Sequence, residues 1–230
     1  MFSGKSVLVV GASGVFGSEF SSQLMAAGAI VAGTAKNAES SQRLQADLTA
    51  RLLVDLELPS SISALTNYLN SLPTPIDGVI LASGLVAFGS AFETPSEITN
   101  RLMQVNALGQ IQLIRELLPK LQESAEAGRS PFVLSLSGVI SEKPMAGLAS
   151  YSASKTALYG YSLAAAKEFR KLGISWVDAR PGHTETGLAG RAIYGSAPNF
   201  GKGLEPEVVV ERILRGIQNS ETDFPSSSFS

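Results

Sequence analysis

The chain has 230 residues, 44% of them hydrophobic and 17% charged, which supplies a large core and predicts one α/β domain over residues 1–230. A formal net charge of −2 without a run of Lys or Arg argues against nucleic acid or an anionic membrane as the main partner. Cysteine is absent and His183 is the one histidine, so disulfides, thiol catalysis and a histidine-rich metal site are excluded, and we expect no bound metal.

The N-terminus, "MFSGKSVLVVGASG", contains the first predicted strand at 6–10. Its apolar run is only "VLVV" before glycine intervenes, which is too short for a signal peptide. No apolar stretch elsewhere approaches the length of a membrane span. We therefore expect a cytoplasmic protein.

Short apolar runs alternate with helical patterns along the whole chain. The predicted strands are 6–10, 29–35, 51–56, 77–82, 131–137 and 174–179. The predicted helices lie near 15–27, 38–47, 59–71, 96–125, 150–172 and 205–219. Near-continuous apolar strands are typical of a parallel sheet that is covered on both faces. The alternation predicts a single-domain, doubly wound parallel sheet of the Rossmann type, with helices on both faces.

The first strand leads directly into "GASGVFG", with glycines at positions 11, 14 and 17. Glycines in a strand-to-helix turn let the backbone approach a pyrophosphate, and the helix N-terminus offers N–H groups and a favourable dipole. A tight turn with close helix packing is the alternative. The position between a strand and a helix favours dinucleotide binding.

The second strand ends in "GTAKN", where no acidic residue is available for a ribose 2′-hydroxyl. Lys36 stands there instead and can pair with a 2′-phosphate. This pattern favours NADP(H) over NAD(H), although an ordinary surface lysine also fits the residue.

Tyr151 and Lys155 are four residues apart in "YSASK", on one face of a predicted helix. A nearby cation favours the phenolate and lowers the pKa of a tyrosine, which prepares it for proton exchange with a substrate oxygen. A solvated helix face is the alternative that the pentapeptide alone does not exclude.

Taken together, these motifs resemble the short-chain dehydrogenase/reductase family from the glycine turn to "PGHTET" at 181–186. Tyr-x-x-x-Lys is the most specific of them, and Asn106 in "VNALG" matches the family's asparagine. The resemblance implies that Tyr151 is the proton donor or acceptor. It implies further that Lys155 lowers the pKa of this tyrosine and binds the nicotinamide ribose, and that Asn106 holds a water linking Lys155 to solvent.

The resemblance also implies a set of residues that contact the cofactor. They come from the glycine turn, the ends of the second, third and fourth strands, the Tyr-Lys helix and the segment after the sixth strand: Gly11, Ser13, Gly14, Phe16, Gly17, Lys36, Asp55, Leu56, Ala82, Gly84, Tyr151, Lys155, Pro181, Gly182, Thr184 and Thr186.

The sequence departs from the family pattern in three places. The glycine spacing is one residue tighter than usual, and "LASG" at 81–84 replaces Asn-Asn-Ala-Gly. The catalytic serine is expected thirteen positions before Tyr151, where Gly138 stands. A one-residue insertion lets Ser137 take that role; otherwise Ser137 is a strand-end serine that binds local backbone and the site uses a backbone or water donor.

We therefore expect an NADP(H)-dependent oxidoreductase that interconverts a carbonyl and an alcohol on a small, apolar molecule. The segment 187–203 is the predicted substrate lid, and the two long helices predict a homodimer or homotetramer. A catalytically weak nucleotide-binding sensor or interaction protein of the same fold is the alternative, and Gly138 favours it. An epimerase or dehydratase of the extended relatives fits poorly, because the chain lacks the length for their substrate domain.

Overall fold

In the computed structural model, which describes residues 2–229, seven parallel strands form one sheet in the order β3-β2-β1-β4-β5-β6-β7. The strands are β1 Ser6–Val10, β2 Ile30–Ala35, β3 Ala50–Leu53, β4 Gly78–Leu81, β5 Phe132–Leu136, β6 Ser175–Ala179 and β7 Asp223–Phe224. The predicted doubly wound parallel sheet is confirmed. The sequence reading missed β7, whose two residues come just before the polar tail.

Helices cover both faces of the sheet. They are α1 Val15–Ala26, α2 Ala38–Ser41, α3 Pro59–Ser71, α4 Ser96–Met103, α5 Gly109–Glu126, α6 Ala149–Arg170 and α7 Pro206–Gln218. Side chains alternate along β1: Val7 and Val9 pack under α1 and α7, whereas Leu8 and Val10 pack under α3 and α5. Each face therefore has its own apolar core, with the strands buried between them.

Two predicted helices differ from the structure. The helix expected at 38–47 ends at Ser41, since Leu44 and Leu48 both pack against Gly33 on β2 and draw the chain down onto the sheet. The helix expected at 96–125 is interrupted by a π-helical turn at Gln104–Leu108 that contains Asn106. Such turns add a residue to the helix and are frequent at functional sites.

Asp77 lies just before β4, at the edge of the sheet where the strands begin, and it links several elements there through hydrogen bonds. Its buried carboxylate accepts hydrogen bonds from the Arg129 guanidinium at 2.6 and 2.7 Å, from the Ser124 hydroxyl at 2.6 Å and from the Ser6 amide at 2.7 Å. Burial alone raises the pKa of Asp77, but these hydrogen bonds outweigh it and hold the pKa below its ordinary value. The carboxylate thus joins β1, β4 and the chain entering β5.

None of the helices in the described part of the chain combines the length and the apolarity needed to cross a lipid bilayer.

Arg129→Ala leaves the buried Asp77 carboxylate without its cation. We expect the free energy of unfolding at pH 7 to fall by about 3 kcal/mol, the low end for a broken buried pair, because the Arg129 side chain is 38% exposed. The Asp77 pKa is depressed in the folded state, so the difference from wild type should shrink as the pH falls below about 4. Urea unfolding measures both effects. Arg170→Ala, at an exposed position, is the control, and equal stabilities of Arg129→Ala and wild type at pH 7 would contradict the expectation.

Candidate active site

A cavity of about 880 Å³ runs along the carboxyl edge of the sheet. The strand order reverses between β1 and β4, and ligands of open α/β sheets bind in the crevice at such a point. Most of the residues predicted for a cofactor line this cavity: Gly11, Ser13, Gly14, Phe16, Lys36, Asp55, Leu56, Ala82, Gly84, Tyr151, Lys155, Pro181, Gly182, Thr184 and Thr186. The predicted residues Gly17, Asn106 and Ser137 do not line it, and each has another place in the structure.

Two glycines of the turn, Gly11 and Gly17, have no room for a side chain. A Cβ at Gly11 would lie 2.4 Å from the Ser83 hydroxyl oxygen, and Gly11 has a φ of +87°. A Cβ at Gly17 would lie 2.2 Å from the Gly11 carbonyl oxygen, so Gly17 acts by letting α1 pack against the turn. No side chain caps the N-terminus of α1, and its first turn carries no acidic residue. The free N–H groups and the helix dipole therefore fit a pyrophosphate.

Lys36, at the end of β2, is already paired with carboxylates. Its ammonium lies 2.5 Å from Glu57 Oε1 and 3.5 Å from Asp55 Oδ2. Glu57 also receives two hydrogen bonds from the Arg101 guanidinium, which with those of Lys36 hold the pKa of Glu57 below its ordinary value. Because Arg101 serves Glu57 as well, Lys36 is not the sole neutralising partner of that carboxylate.

Arg43 is a second cation on this part of the cavity wall, and the sequence reading missed it. Its Nε donates to the Ser13 carbonyl at 3.4 Å, which places it beside the glycine turn. Arg43 lies in a region predicted to be helical, where no local spacing pointed to the cavity. The early end of α2 brings it there.

Tyr151 and Lys155 both line the cavity from α6, as the i, i+4 spacing predicts. Burial raises the pKa of Tyr151 to about 12. Burial also lowers the pKa of Lys155 to about 8, and the negative charge of Asp178 partly offsets this effect. The expectation that Lys155 lowers the pKa of Tyr151 is not met in this structure, where the ammonium donates to the Leu136 carbonyl at 2.7 Å.

Asn106 is buried in the π-helical turn, and its amide is committed to protein groups. Its Oδ1 accepts from the Leu85 amide at 2.8 Å, and its Nδ2 donates to the Leu85 carbonyl and the Ser154 hydroxyl, each at 2.9 Å. A Cβ at Gly84 would lie 3.4 Å from Asn106 Oδ1 and 3.5 Å from Lys155 Nζ. Asn106 therefore ties the loop after β4 to α6 beside Lys155. A water between Asn106 and Lys155 stays a prediction.

The structure corrects the role expected for Ser137. Its hydroxyl is fully buried and donates to Asp178 Oδ1 at 2.6 Å, so it points into the sheet and not toward Tyr151. Gly138 lines the cavity instead. The amides of Gly138 and Val139 donate to the carbonyls of Ala179 and Pro181, so the backbone donors expected near Gly138 are also engaged. The side-chain period of two in a strand explains the outcome, because Ser135 and Ser137 face the same side.

An apolar chamber adjoins Tyr151. Its buried members are Val86, Phe88, Ile140 and Leu148, and Tyr151, Leu188, Ala189, Ala192 and Phe200 pack against them. Phe200 lies between the rings of His183 and Phe88, with centroid distances of 5.1 and 6.0 Å. Phe88, Met145, Leu148 and Leu188 line the cavity with apolar side chains.

Among residues 2–229, no group of three or more His, Asp or Glu side chains is arranged to hold a metal ion.

Comparisons with known proteins agree on one family. A family model described as short chain dehydrogenase matches residues 5–193. The chain is 29% identical to a dehydrogenase/reductase SDR family protein 7-like of Drosophila melanogaster, over 96% of this chain and 72% of the relative. A 3-ketoacyl-(acyl-carrier-protein) reductase from Brucella melitensis, complexed with NADH, superposes with a TM-score of 0.87 at 21% identity over the full length of both chains. A short-chain dehydrogenase from Sphingobium yanoikuyae, in complex with NADPH, has a TM-score of 0.82 at 21% identity, over 96% of this chain and 87% of that one.

Ser137→Ala removes one buried hydrogen bond to a carboxylate. We expect the free energy of unfolding to fall by about 1.5–3 kcal/mol, as for other hydrogen bonds to charged groups. Ser135→Ala is the matched control, because Ser135 lies on the same strand and donates to the other oxygen of Asp178 at 2.6 Å. Urea unfolding of both variants checks this expectation. A Ser137→Ala protein as stable as wild type, with a destabilised Ser135→Ala protein, would show that the Ser137 bond contributes nothing.

Proposed function

Because the chain belongs to the short-chain dehydrogenase/reductase family of oxidoreductases, we propose that it interconverts a carbonyl and an alcohol on a small, mostly apolar substrate with NADP(H). The observation that carries this proposal is the position of Tyr151 and Lys155 between the nucleotide end of the cavity and an apolar chamber.

The proposed cofactor fits the residues of the cavity. The glycine turn and the uncapped N-terminus of α1 would hold the pyrophosphate, and Asp55 and Leu56 would border the adenine. Lys36 and Arg43 would pair with a 2′-phosphate, since both are cations that line the cavity. Pro181, Gly182, Thr184 and Thr186 would border the nicotinamide. When bound, the cofactor supplies the hydride transfer, which no side chain performs.

Tyr151 exchanges the proton in the proposed reaction. With a pKa of about 12 its phenol is protonated at neutral pH, which suits donation to a carbonyl oxygen and therefore reduction. Lys155, with a pKa of about 8, is mostly an ammonium at pH 7, and its charge stabilises a phenolate that forms on Tyr151. Lys155 would hold a ribose hydroxyl of the bound cofactor, in competition with the Leu136 carbonyl that accepts from it in this structure.

The substrate oxygen receives no serine in this proposal. Ser137 is bonded to Asp178, and Gly138 carries no side chain. The Tyr151 hydroxyl is then the protein donor to that oxygen, with water as a second donor. Ser137→Ala is accordingly expected to lower kcat much less than Tyr151→Phe does.

We propose that the segment 187–203 is the substrate lid. It covers the apolar chamber through Leu188 and Phe200, and the Ile193 amide donates to the Val86 carbonyl at 2.9 Å. A segment packed over the chamber in this way suits opening and closing over a ligand. The apolar lining favours a substrate with little charge near its reacting carbon.

A homodimer or homotetramer stays a prediction, with Leu108 and Leu163, each about half exposed on the central helices, as candidate contacts. Cytoplasmic location also stays a prediction.

A catalytically weak nucleotide-binding sensor is the second candidate function. The specific observation that favours it is the loss of the serine, because Gly138 occupies its position and Ser137 points elsewhere. The two candidates are separated by following the absorbance of NADPH with a panel of aldehydes and ketones. Turnover with any of them supports the enzyme, and tight cofactor binding without turnover across the panel supports the sensor.

Tyr151→Phe tests the proton donor. Loss of the phenolic oxygen removes proton transfer but none of the phosphate contacts, so we expect kcat to fall at least about 100-fold while the Kd for NADPH stays within a few-fold. Tyr161→Phe, on the same helix but packed against Trp176, is the matched control and should retain wild-type turnover. A Tyr151→Phe enzyme that is as fast as the control would rule out the assignment.

Lys36→Ala tests the cofactor preference. We expect the wild-type protein to bind NADPH more tightly than NADH by about 1–3 kcal/mol, and both Lys36→Ala and Arg43→Ala to narrow that difference. Arg51→Ala is the control, because Arg51 is exposed, donates to the Ser41 carbonyl and does not line the cavity. Fluorescence titration of the wild type and the three variants with both cofactors gives the eight affinities. Equal wild-type affinities for NADPH and NADH would overturn the preference and leave the reaction type untouched.

A further inference from the structure

A buried carboxylate, Asp178, lies beneath the proposed active site. It is on β6, is 5% exposed and faces the same side of the sheet as Trp176, toward the core under α3, α5 and α6. In the parallel pairing of β5 and β6, Ser135 lies opposite Asp178. Burial raises the pKa of the Asp178 carboxyl above its ordinary value, and the hydrogen bonds from its partners oppose this effect and favour the carboxylate.

The partners of Asp178 come from β5 and from the end of β6. Its Oδ1 accepts from the Ser137 hydroxyl at 2.6 Å and from Arg180 NH1 at 2.9 Å, and its Oδ2 accepts from the Ser135 hydroxyl at 2.6 Å. Trp176 Nε1 donates in turn to the Ser135 oxygen at 3.0 Å. The carboxylate is therefore fixed in orientation by three donors.

Leu136, between the two serines, connects this network to the cavity. Its carbonyl accepts the hydrogen bond from the Lys155 ammonium at 2.7 Å. The negative charge of Asp178 acts on Lys155 and opposes the effect of burial, which favours the neutral amine. Ser135 and Ser137, which donate hydrogen bonds to Asp178, thus lie on either side of Leu136, whose carbonyl accepts from Lys155.

Arg180 does not absorb the charge of Asp178 alone. The guanidinium is 2% exposed and also pairs with Glu142 and, at 2.6 Å, with Asp223. Its plane lies over the Tyr159 ring, 4.5 Å from the centroid. One cation faces three carboxylates, so the network carries surplus negative charge, and Lys155 is the second cation near it.

We propose that Asp178 is a positioning residue of the active site, which keeps Lys155 charged inside the buried cavity through its electrostatic field and holds the Leu136 carbonyl beneath that ammonium through Ser135 and Ser137. This inference rests on the proposed role of Lys155 for its effect on rate, but not for its effect on the lysine itself. It also gives Ser137 a function in place of the one expected from its position. The titratable and charged groups around the network are Tyr151 and Tyr159 on α6, Asp178 on β6, Arg180 after β6, Glu142 after the turn at 139–141, and Asp223 on β7.

Asp178→Asn tests the inference by a direct titration of Lys155. The protein is labelled with [ε-13C]lysine, and the Lys155 signal is assigned with Lys155→Met. In wild type, the ammonium should titrate with a midpoint of about 8. Loss of the carboxylate charge should lower the midpoint by about one pH unit, because a nearby opposite charge stabilises the ammonium by that order. Asp178→Glu, which restores the charge, should bring the midpoint back toward wild type.

Asp223→Asn is the matched control. It removes another carboxylate of Arg180, but this one lies on the exposed side of the network, 65% exposed, and is not among the groups whose charge acts on Lys155. Its Lys155 midpoint should equal that of wild type. A folded Asp178→Asn protein with an unchanged midpoint overturns the proposal, as does an equal shift in Asp223→Asn.

A second variant covers the case in which Asp178→Asn does not fold. Asp178→Asn with Arg180→Gln removes anion and cation together, which buried pairs tolerate better than loss of one partner. Loss of the anion lowers the Lys155 midpoint and loss of the cation raises it, so a smaller downward shift is expected there, and an unchanged or raised midpoint overturns the proposal. The rate gives an independent readout, since the alkaline limb of the kcat profile should move to lower pH with the Lys155 midpoint. A wild-type protein without turnover would refute the proposed function, whereas the lysine titration would still decide the role of Asp178.

Discussion

The parallel register of β1, β4 and β5 is the constraint on which the site depends. Each strand ends at the same edge of the sheet, so the glycine turn, the loop after β4 and Gly138 meet there although many residues separate them along the chain. Helix α1 reaches this edge because Gly11 and Gly17 allow it to pack onto the turn without a Cβ between them. A Cβ at either of these two glycines would overlap its neighbours and push the helix away from the turn.

Burial acts on the two central side chains in opposite directions on the pKa scale but favours the neutral form of each. It raises the pKa of Tyr151 to about 12 and lowers that of Lys155 to about 8. The raised pKa keeps the Tyr151 phenol protonated, as a proton donor for reduction requires. The lowered pKa disfavours the Lys155 ammonium, and the negative charge of the Asp178 carboxylate on β6 opposes this lowering. The site therefore combines two buried side chains with one buried carboxyl, whose ionisation is opposed by burial and favoured by the Arg180 guanidinium and two serine hydroxyls.

The serine position shows how one residue along a strand changes chemistry. Side chains alternate between the faces of β5, so a serine at position 137 joins Ser135 on the core side and reaches Asp178. Gly138, the next residue, faces the cavity and has a φ of +72°, a conformation that a serine would adopt only with strain. The backbone at this point is built for glycine, and the usual hydroxyl has no place without a change in the chain path.

Local patterns in the sequence determined much of this protein: the strands from their apolar runs, the nucleotide turn from its glycines, and the shared face of Tyr151 and Lys155 from helical periodicity. These features depend on residues close together in the chain, where φ, ψ and side-chain spacing suffice. Only the tertiary structure decided the orientation of Ser137, the arrival of Arg43 at the cavity and the pairing of Lys36 with Glu57. It also placed Asp178, which follows Lys155 by 23 positions in the chain, beside the strand whose Leu136 carbonyl accepts a hydrogen bond from the Lys155 ammonium. These contacts join different strands and helices, and their energies depend on burial and on the distance between charges, which no local pattern of residues contains.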